Sequence, residues 1–232
     1  MKTTVRNLFE VRNISPDKMP GDNAEFQAWF KDHQNYRWNQ AKRLTQKLVD
    51  GKITPTEWHD ALEALLMEGH SNAWQIGRTL GGADVSDFND SDLYAGRGYK
   101  DVEADYLARF LDAIQNGAFT DEETGTIIAS RIDNRARLYL GKMRGTANDA
   151  FVYGSPDEAD FYWKLGAPEE HCEECPQLAE LFNPSKKEHL FATPGSGDTP
   201  CLGNCYCHIE RVVNDETTIG LKPVVLEMPD YE

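Results

Sequence analysis

The chain has 232 residues, of which 40% are apolar and 27% are charged, and its formal net charge is −15. This composition is typical of a globular protein with one large domain or two small ones, and it excludes disorder throughout. No stretch approaches the roughly 20 apolar residues of a membrane helix, and the N-terminus lacks a signal-peptide core, so we expect cytoplasmic synthesis and no membrane contact.

The negative charge is concentrated in the second half of the chain. From Phe151 onward there are 16 acidic and 5 basic residues, a net charge of −11, against −4 for the first 150 residues. An acidic half argues against an extended phosphate-binding surface, so contact with DNA is not favoured there. It suits a solvated face or docking onto a basic protein surface.

Helical periodicity begins after an irregular N-terminal arm over residues 1–21, which prolines and a glycine interrupt. Apolar residues recur at spacings of three, four and seven between Phe26 and Leu48, and they predict a first helix. Gly51 is a suitable residue for the end of this helix.

The second predicted helix has the strongest start signal in the chain. Thr54 fits an N-cap, Pro55 fits the first helical position, and Glu57 completes a capping box. An apolar stripe follows, and Gly81 and Gly82 mark its end.

Two more helices are predicted after a polar loop over residues 83–92. A third helix has an apolar face over residues 102–114. Thr120 and Glu123 repeat the capping-box signature and predict the start of a fourth helix, which reaches Ala147. Because each helix is amphipathic and the connections are short, the sequence favours an antiparallel helical bundle over residues 22–150.

The fourth predicted helix carries a group of arginines that we interpret as a solvated face balanced by Asp133. Contact of this group with DNA or with an acidic partner is the alternative interpretation. The group consists of Arg131, Arg135, Arg137 and Arg144.

After Phe151 the helical periodicity fades, and Gly, Pro and Cys become more frequent. Short strands are predicted at 161–165 and 208–213, with a loop over 191–200. The sequence therefore predicts a mainly α protein, in which the bundle is followed by a small metal-stapled α+β module over residues 151–215. An acidic tail completes the chain over residues 216–232.

The five cysteines of this module predict a structural metal site, and zinc fits them best. A C-x-x-C turn supplies two thiolates from one tight loop, and a second cysteine cluster closes the long loop between them. Their odd number excludes complete pairing into disulfides within one chain, and a full cysteine set leaves no open position for catalysis. In order of preference, the candidate ligands are Cys172, Cys175, Cys207, Cys205, Cys201, His171 and His208.

A zinc-dependent hydrolase or deaminase acting on nucleic acid is the alternative interpretation. Such deaminases carry H-x-E followed by P-C-x-x-C. Here His171 and Glu173 match the first half, but the second half, from Pro200 through Cys201 to Cys205, is one residue too long. The match also leaves the other cysteines unexplained, so the sequence favours a structural protein over an enzyme.

Three stretches of the chain together resemble the bacteriophage minor head protein, or head-morphogenesis, family (the Mu F-like group). The first is DGKITPTEWHDALEALLMEGHSNAWQIGRTLGG and the second is RIDNRARLYLGKMRGTANDAF. The third and most specific is YWKLGAPEEHCEECPQLAEL followed by GDTPCLGNCYCHIE. The resemblance covers roughly residues 40–213. It implies a metal-binding role for the cysteines, which have matching positions in the family, and it implies no catalytic residue. Many members have a histidine before the final C-x-C, where this chain has Cys201, so the exact ligand set stays open.

The resemblance implies a minor capsid component that acts in procapsid assembly near the portal, with a further role in DNA packaging or ejection. The implied partners are the portal protein and the major capsid protein, and oligomers on the capsid are compatible with this role. The implied location is the virion, in the capsid interior or at the portal vertex.

Overall fold

The computed structural model describes residues 23–84, 88–166, 172–197, 205–214 and 217–224. The predicted N-terminal arm and most of the predicted tail lie outside these ranges. Two candidate ligands, His171 and Cys201, also lie outside them.

Within the described ranges the protein is mainly helical and carries one small antiparallel sheet, which confirms the predicted fold class in this general form. The helices before the first strand are α1 (Asn23–Val49), α2 (Pro55–Gly81), α3 (Asp90–Val102), α4 (Ala104–Gln115), α5 (Ala129–Gly141) and α6 (Met143–Gly154). The elements that follow are β1 (Asp160–Lys164), α7 (Cys175–Leu181), β2 (Ser185–Lys186), β3 (His208–Asn214) and β4 (Thr217–Gly220). None of the helices in these ranges is both long and apolar enough to cross a membrane.

The start of α2 confirms the predicted capping box. The backbone N–H of Glu57 donates to Thr54 Oγ1 at 3.2 Å, and Glu57 Oε2 accepts from the Thr54 N–H at 2.8 Å. The helix ends before Gly82, whose φ of 110° is a left-handed conformation that glycine adopts without strain.

Helix α3 was not predicted, because a buried carboxylate rather than an apolar stripe anchors its start. Asp92 is buried and accepts hydrogen bonds from Trp74 Nε1 at 3.0 Å and from the Asn89 N–H at 3.1 Å. Arg78 of α2 forms an ion pair with the same carboxylate. Part of the segment predicted as a polar loop is therefore helical.

The predicted helix start at Thr120 is wrong, because a neighbouring side chain stabilises a turn there. Asp121 Oδ1 accepts from the backbone N–H groups of Glu123 and Thr124 at 3.1 and 2.8 Å. Thr120 pairs with Ile127 in an isolated β-bridge, and α5 begins at Ala129. An Asx-type turn with these contacts competes successfully with the capping box.

Helices α2 and α6 approach each other so closely that two positions of α2 admit only glycine. A Cβ added at Gly77 would lie 2.0 Å from the Ala147 carbonyl oxygen, and one added at Gly81 would lie 2.6 Å from that of Phe151. The close approach leaves most of α6 buried.

The helix predicted to run to Ala147 is observed as two helices, α5 and α6, joined at Lys142.

The sheet has the strand order β2-β1-β3-β4, and all its pairings are antiparallel. Both predicted strands are confirmed as β1 and β3, while β4 comes from residues assigned to the tail. The sheet packs on the helices, since Phe161, Ile209 and Leu221 belong to the same buried apolar cluster as the helix residues. That cluster crosses the predicted boundary at residue 150, which lies inside α6.

Candidate metal centre

One end of the sheet brings two cysteines to a C-x-x-C turn. Lys164, at the end of β1, pairs with His208, at the start of β3, so Cys205 and Cys207 enter the sheet at this end. Cys175 is the first residue of α7, and its N–H donates to the Cys172 carbonyl at 3.2 Å across the C-x-x-C turn.

Three of the described thiols lie within reach of a single ion. The sulfur atoms of Cys175, Cys205 and Cys207 all lie within 4.8 Å of one another, and all three residues are buried. Cys172 adds a fourth sulfur, 3.1 Å from that of Cys175. Four thiolates around tetrahedral zinc, at Zn–S distances of about 2.3 Å, have sulfur–sulfur distances of about 3.8 Å. The three buried sulfurs fit such an ion, and Cys172, which lies outside the 4.8 Å group, completes the tetrahedron when its sulfur moves away from that of Cys175 and toward the rest of the group.

Donors around Cys207 favour the ionised form that a metal requires. The pKa of Cys207 is lowered to about 5, first because Cys205 donates a hydrogen bond to its sulfur. The backbone N–H of Gly166 and the Cys175 thiol also donate to it, while burial acts in the opposite direction. The indole N–H of Trp163 also lowers this pKa, but weakly, because in the described structure it is not in position for an ordinary hydrogen bond. A thiolate is the form of cysteine that binds metal.

Packing around the sulfurs is tight. A Cβ added at Gly166 would lie 2.9 Å from the Tyr206 side chain and 3.0 Å from its carbonyl oxygen, so a glycine lets this strand end approach the cysteine loop. Trp163 and Phe182 are buried in one apolar cluster with the cysteines. The sulfurs of Cys175, Cys205 and Cys207 therefore lie in a largely apolar environment, and Cys172 is half-buried beside them.

Of the five predicted cysteines, the structure brings together Cys175, Cys205 and Cys207, and Cys172 lies beside Cys175. Cys201 and His171 lie outside the described residues. His208 is outside the sulfur group because successive strand residues point to opposite faces, and its Nε2 lies 3.0 Å from Glu210 Oε1. Burial, the largest cause, lowers the pKa of His208.

Sequence reasoning missed an arginine beside the site. Arg144 was interpreted as part of a solvated helix face, and this is wrong: the residue is 4% exposed. Its Nη1 donates to the Cys207 carbonyl oxygen at 2.9 Å. A local signal could have found it, because Arg144 lies four residues after the buried Leu140 and so shares its face in the helical period.

Glu173, which the alternative interpretation requires as a general acid and base, is exposed in the C-x-x-C turn. A carboxylate in this role must reach a metal-bound water. Glu173 does not belong to the sulfur group, and it is exposed to solvent rather than buried beside the sulfurs.

Comparisons of this chain with protein-family models, with curated proteins and with solved structures find no match. The geometry of the cysteine group and the sequence motifs are therefore the basis for any functional conclusion.

Proposed function

We propose that Cys172, Cys175, Cys205 and Cys207 bind one structural zinc ion. The observation that carries the proposal is the convergence of three buried thiols within 4.8 Å, with the fourth sulfur 3.1 Å from one of them. The ion staples together the α+β module that follows the helical bundle, because all four ligands belong to residues 151–215. The apolar cluster around the cysteines has few large side chains, so metal binding is a major part of what orders this module.

The donor set favours a structural role for the ion over a catalytic one. Four sulfur ligands complete a tetrahedron and leave no position for water or substrate. Catalytic zinc sites keep such a position open and commonly include histidine or carboxylate ligands. A zinc-dependent hydrolase or deaminase remains the alternative, and it requires an exchangeable water on the metal together with dependence on Glu173.

The proposed biological role is that of a minor capsid protein in bacteriophage head assembly, close to the portal. Its support is the motif resemblance over roughly residues 40–213, together with the convergence of the cysteines that carry the most specific part of it. The net charge of −11 after residue 150 suits a basic surface on a portal or coat protein. The same charge makes DNA a poor partner for this half of the molecule.

Elemental analysis of the protein purified without chelators tests the metal site. We expect one zinc ion per chain and, after exchange for Co²⁺, the intense visible bands of a tetrahedral sulfur site. Single Cys→Ser variants at the four ligand positions should lose the ion, whereas C201S should retain it. Loss of metal in C201S together with retention in C172S would assign the fourth position to Cys201 instead.

Quantitative mass spectrometry of procapsids and mature virions, normalised to the portal protein, tests the biological role. A few copies per portal in both particles are expected for an internal minor head protein. Presence only in procapsids would indicate a transient assembly factor. Absence from both would refute the role, and hydrolysis or deamination assays comparing the wild type with E173Q would then test the alternative.

A further inference from the structure

One face of α6 is attached to the loop that precedes the cysteine pair. Asn148 Nδ2 donates to the Pro194 carbonyl at 2.7 Å, and Thr193 donates to Asp149. A Cβ added at Gly145 would lie 1.9 Å from the Gly195 carbonyl oxygen, so the helix backbone touches the loop directly. On its other side α6 packs against α2. Helix α6 is therefore held between α2 and the loop that leads to the metal centre.

Arg144 extends this attachment to a predicted ligand itself. Its guanidinium donates at 2.9 Å to the carbonyl oxygen of Cys207, and its Nη2 would lie 3.6 Å from a Cβ added at Gly195. The residue is almost completely buried, so its charge interacts with the centre through little screening water. It is also close enough to His208 to help lower the pKa of that ring, after the larger effect of burial.

Four thiolates around a divalent ion carry an excess of negative charge in an apolar environment, and such an excess is costly unless cations or donors offset it. A buried guanidinium that contacts the backbone of one ligand offsets part of this charge and fixes the direction of that ligand. Partners of this kind hold metal ligands in place, and their loss typically reduces metal affinity about 10- to 100-fold.

We propose that Arg144 is a positioning residue of the metal centre, which orients Cys207 and stabilises the charged cluster. The inference rests on the proposed zinc site. A simpler role, in which Arg144 only attaches α6 to the loop, predicts lower stability without a specific effect on metal affinity. Arg37 is a matched control, because it is equally buried at 4% exposed and pairs with Glu68 in the bundle at 2.9 Å.

The experiment measures the zinc affinity of the full chain by competition with a chromophoric chelator, for the wild type, R144Q, R144K and R37Q. We expect R144Q to bind zinc at least about 10-fold more weakly than the wild type, as for other partners of metal ligands. R37Q should lower the melting temperature but keep the wild-type zinc affinity. The visible spectrum of the Co²⁺ form should change in R144Q and not in R37Q.

The outcomes separate the two proposals. A wild type that binds no zinc would overturn both the zinc site and the role of Arg144. A wild type that binds zinc, with equal affinity in R144Q, would overturn only the role of Arg144. An equal loss of affinity in R144Q and R37Q would also overturn it, because the effect would then follow stability. If R144Q does not fold, R144K decides: weaker zinc binding supports the role, and unchanged affinity overturns it.

Discussion

The substitution F161A tests whether the sheet and the helices share one core. Phe161 is 0% exposed, and its ring meets that of Phe151 in α6 edge-on at a centroid distance of 5.9 Å. Truncating such a phenylalanine costs about 3–5 kcal/mol, from lost burial and the cavity left behind. In a chain of this size, each kcal/mol corresponds to about 2–4 °C, so the melting temperature should fall by about 6–20 °C.

Two probes report on the two halves of the molecule during thermal unfolding. Far-UV circular dichroism follows the helices, and the visible bands of the Co²⁺ form follow the cysteine site. We expect F161A to shift both transitions together. F191A is the matched control, because Phe191 is 69% exposed, and its loss should cost no more than about 1 kcal/mol. A normal helix transition in F161A, with only the cobalt transition shifted, would refute a shared core and support separate domains.

Three further predictions concern helix contacts, capping and pH. G77A should destabilise the protein by about 1–3 kcal/mol, because the added Cβ meets the Ala147 carbonyl. G98A is the control: a Cβ at this position in α3 meets nothing, and the helix should gain about 0.5–1 kcal/mol. Urea denaturation measures the unfolding free energy of both variants. T54A removes the α2 N-cap and should cost about 1 kcal/mol, and T56A, which keeps the cap, serves as the control in the same denaturation series. In protein from which a chelator has removed metal, the pKa of Cys207 is about 5 in the folded state and 9.0 in the unfolded state. The ionised thiol therefore stabilises the fold fully above pH 9.0, and this contribution is lost as the pH falls to about 5. The unfolding free energy of the wild type relative to C207S should therefore rise across this range, and a flat difference would contradict the depressed pKa.

Local signals predicted several features that depend on neighbouring residues. The capping box at Thr54 and the glycine end of α2 were predicted correctly, since each involves contacts within a few residues. The metal-type spacing also predicted that Cys175 lies beside Cys205 and Cys207, and the structure brings these three thiols together. The place of Cys172 in the ligand set stays a prediction.

Two of the errors occur where distant residues determine the structure. Helix α3 is anchored by Asp92 to Trp74 and Arg78, which are 18 and 14 residues away and leave no periodic signal. The start predicted at Thr120 is a different kind of error, because two local signals compete there and the Asp121 turn forms instead of the capping box. Strand β4 pairs with β3, and its polar sequence alone does not distinguish an edge strand from a tail.

Helix α6 connects the cysteine group to the rest of the fold. At about 3.6 residues per turn, Arg144 lies about 180° around the helix from Arg135 and in line with the buried Leu140, so its burial follows the helical period. Along α6, Gly77 and Gly81 of α2 approach the helix backbone, and Arg144 donates to the Cys207 carbonyl oxygen. The bundle and the cysteine group then share a rigid element. For the proposed structural zinc, four sulfur ligands leave no position for a substrate, and the shared helix holds the loop before Cys205 in a fixed place, as the proposed assembly role requires.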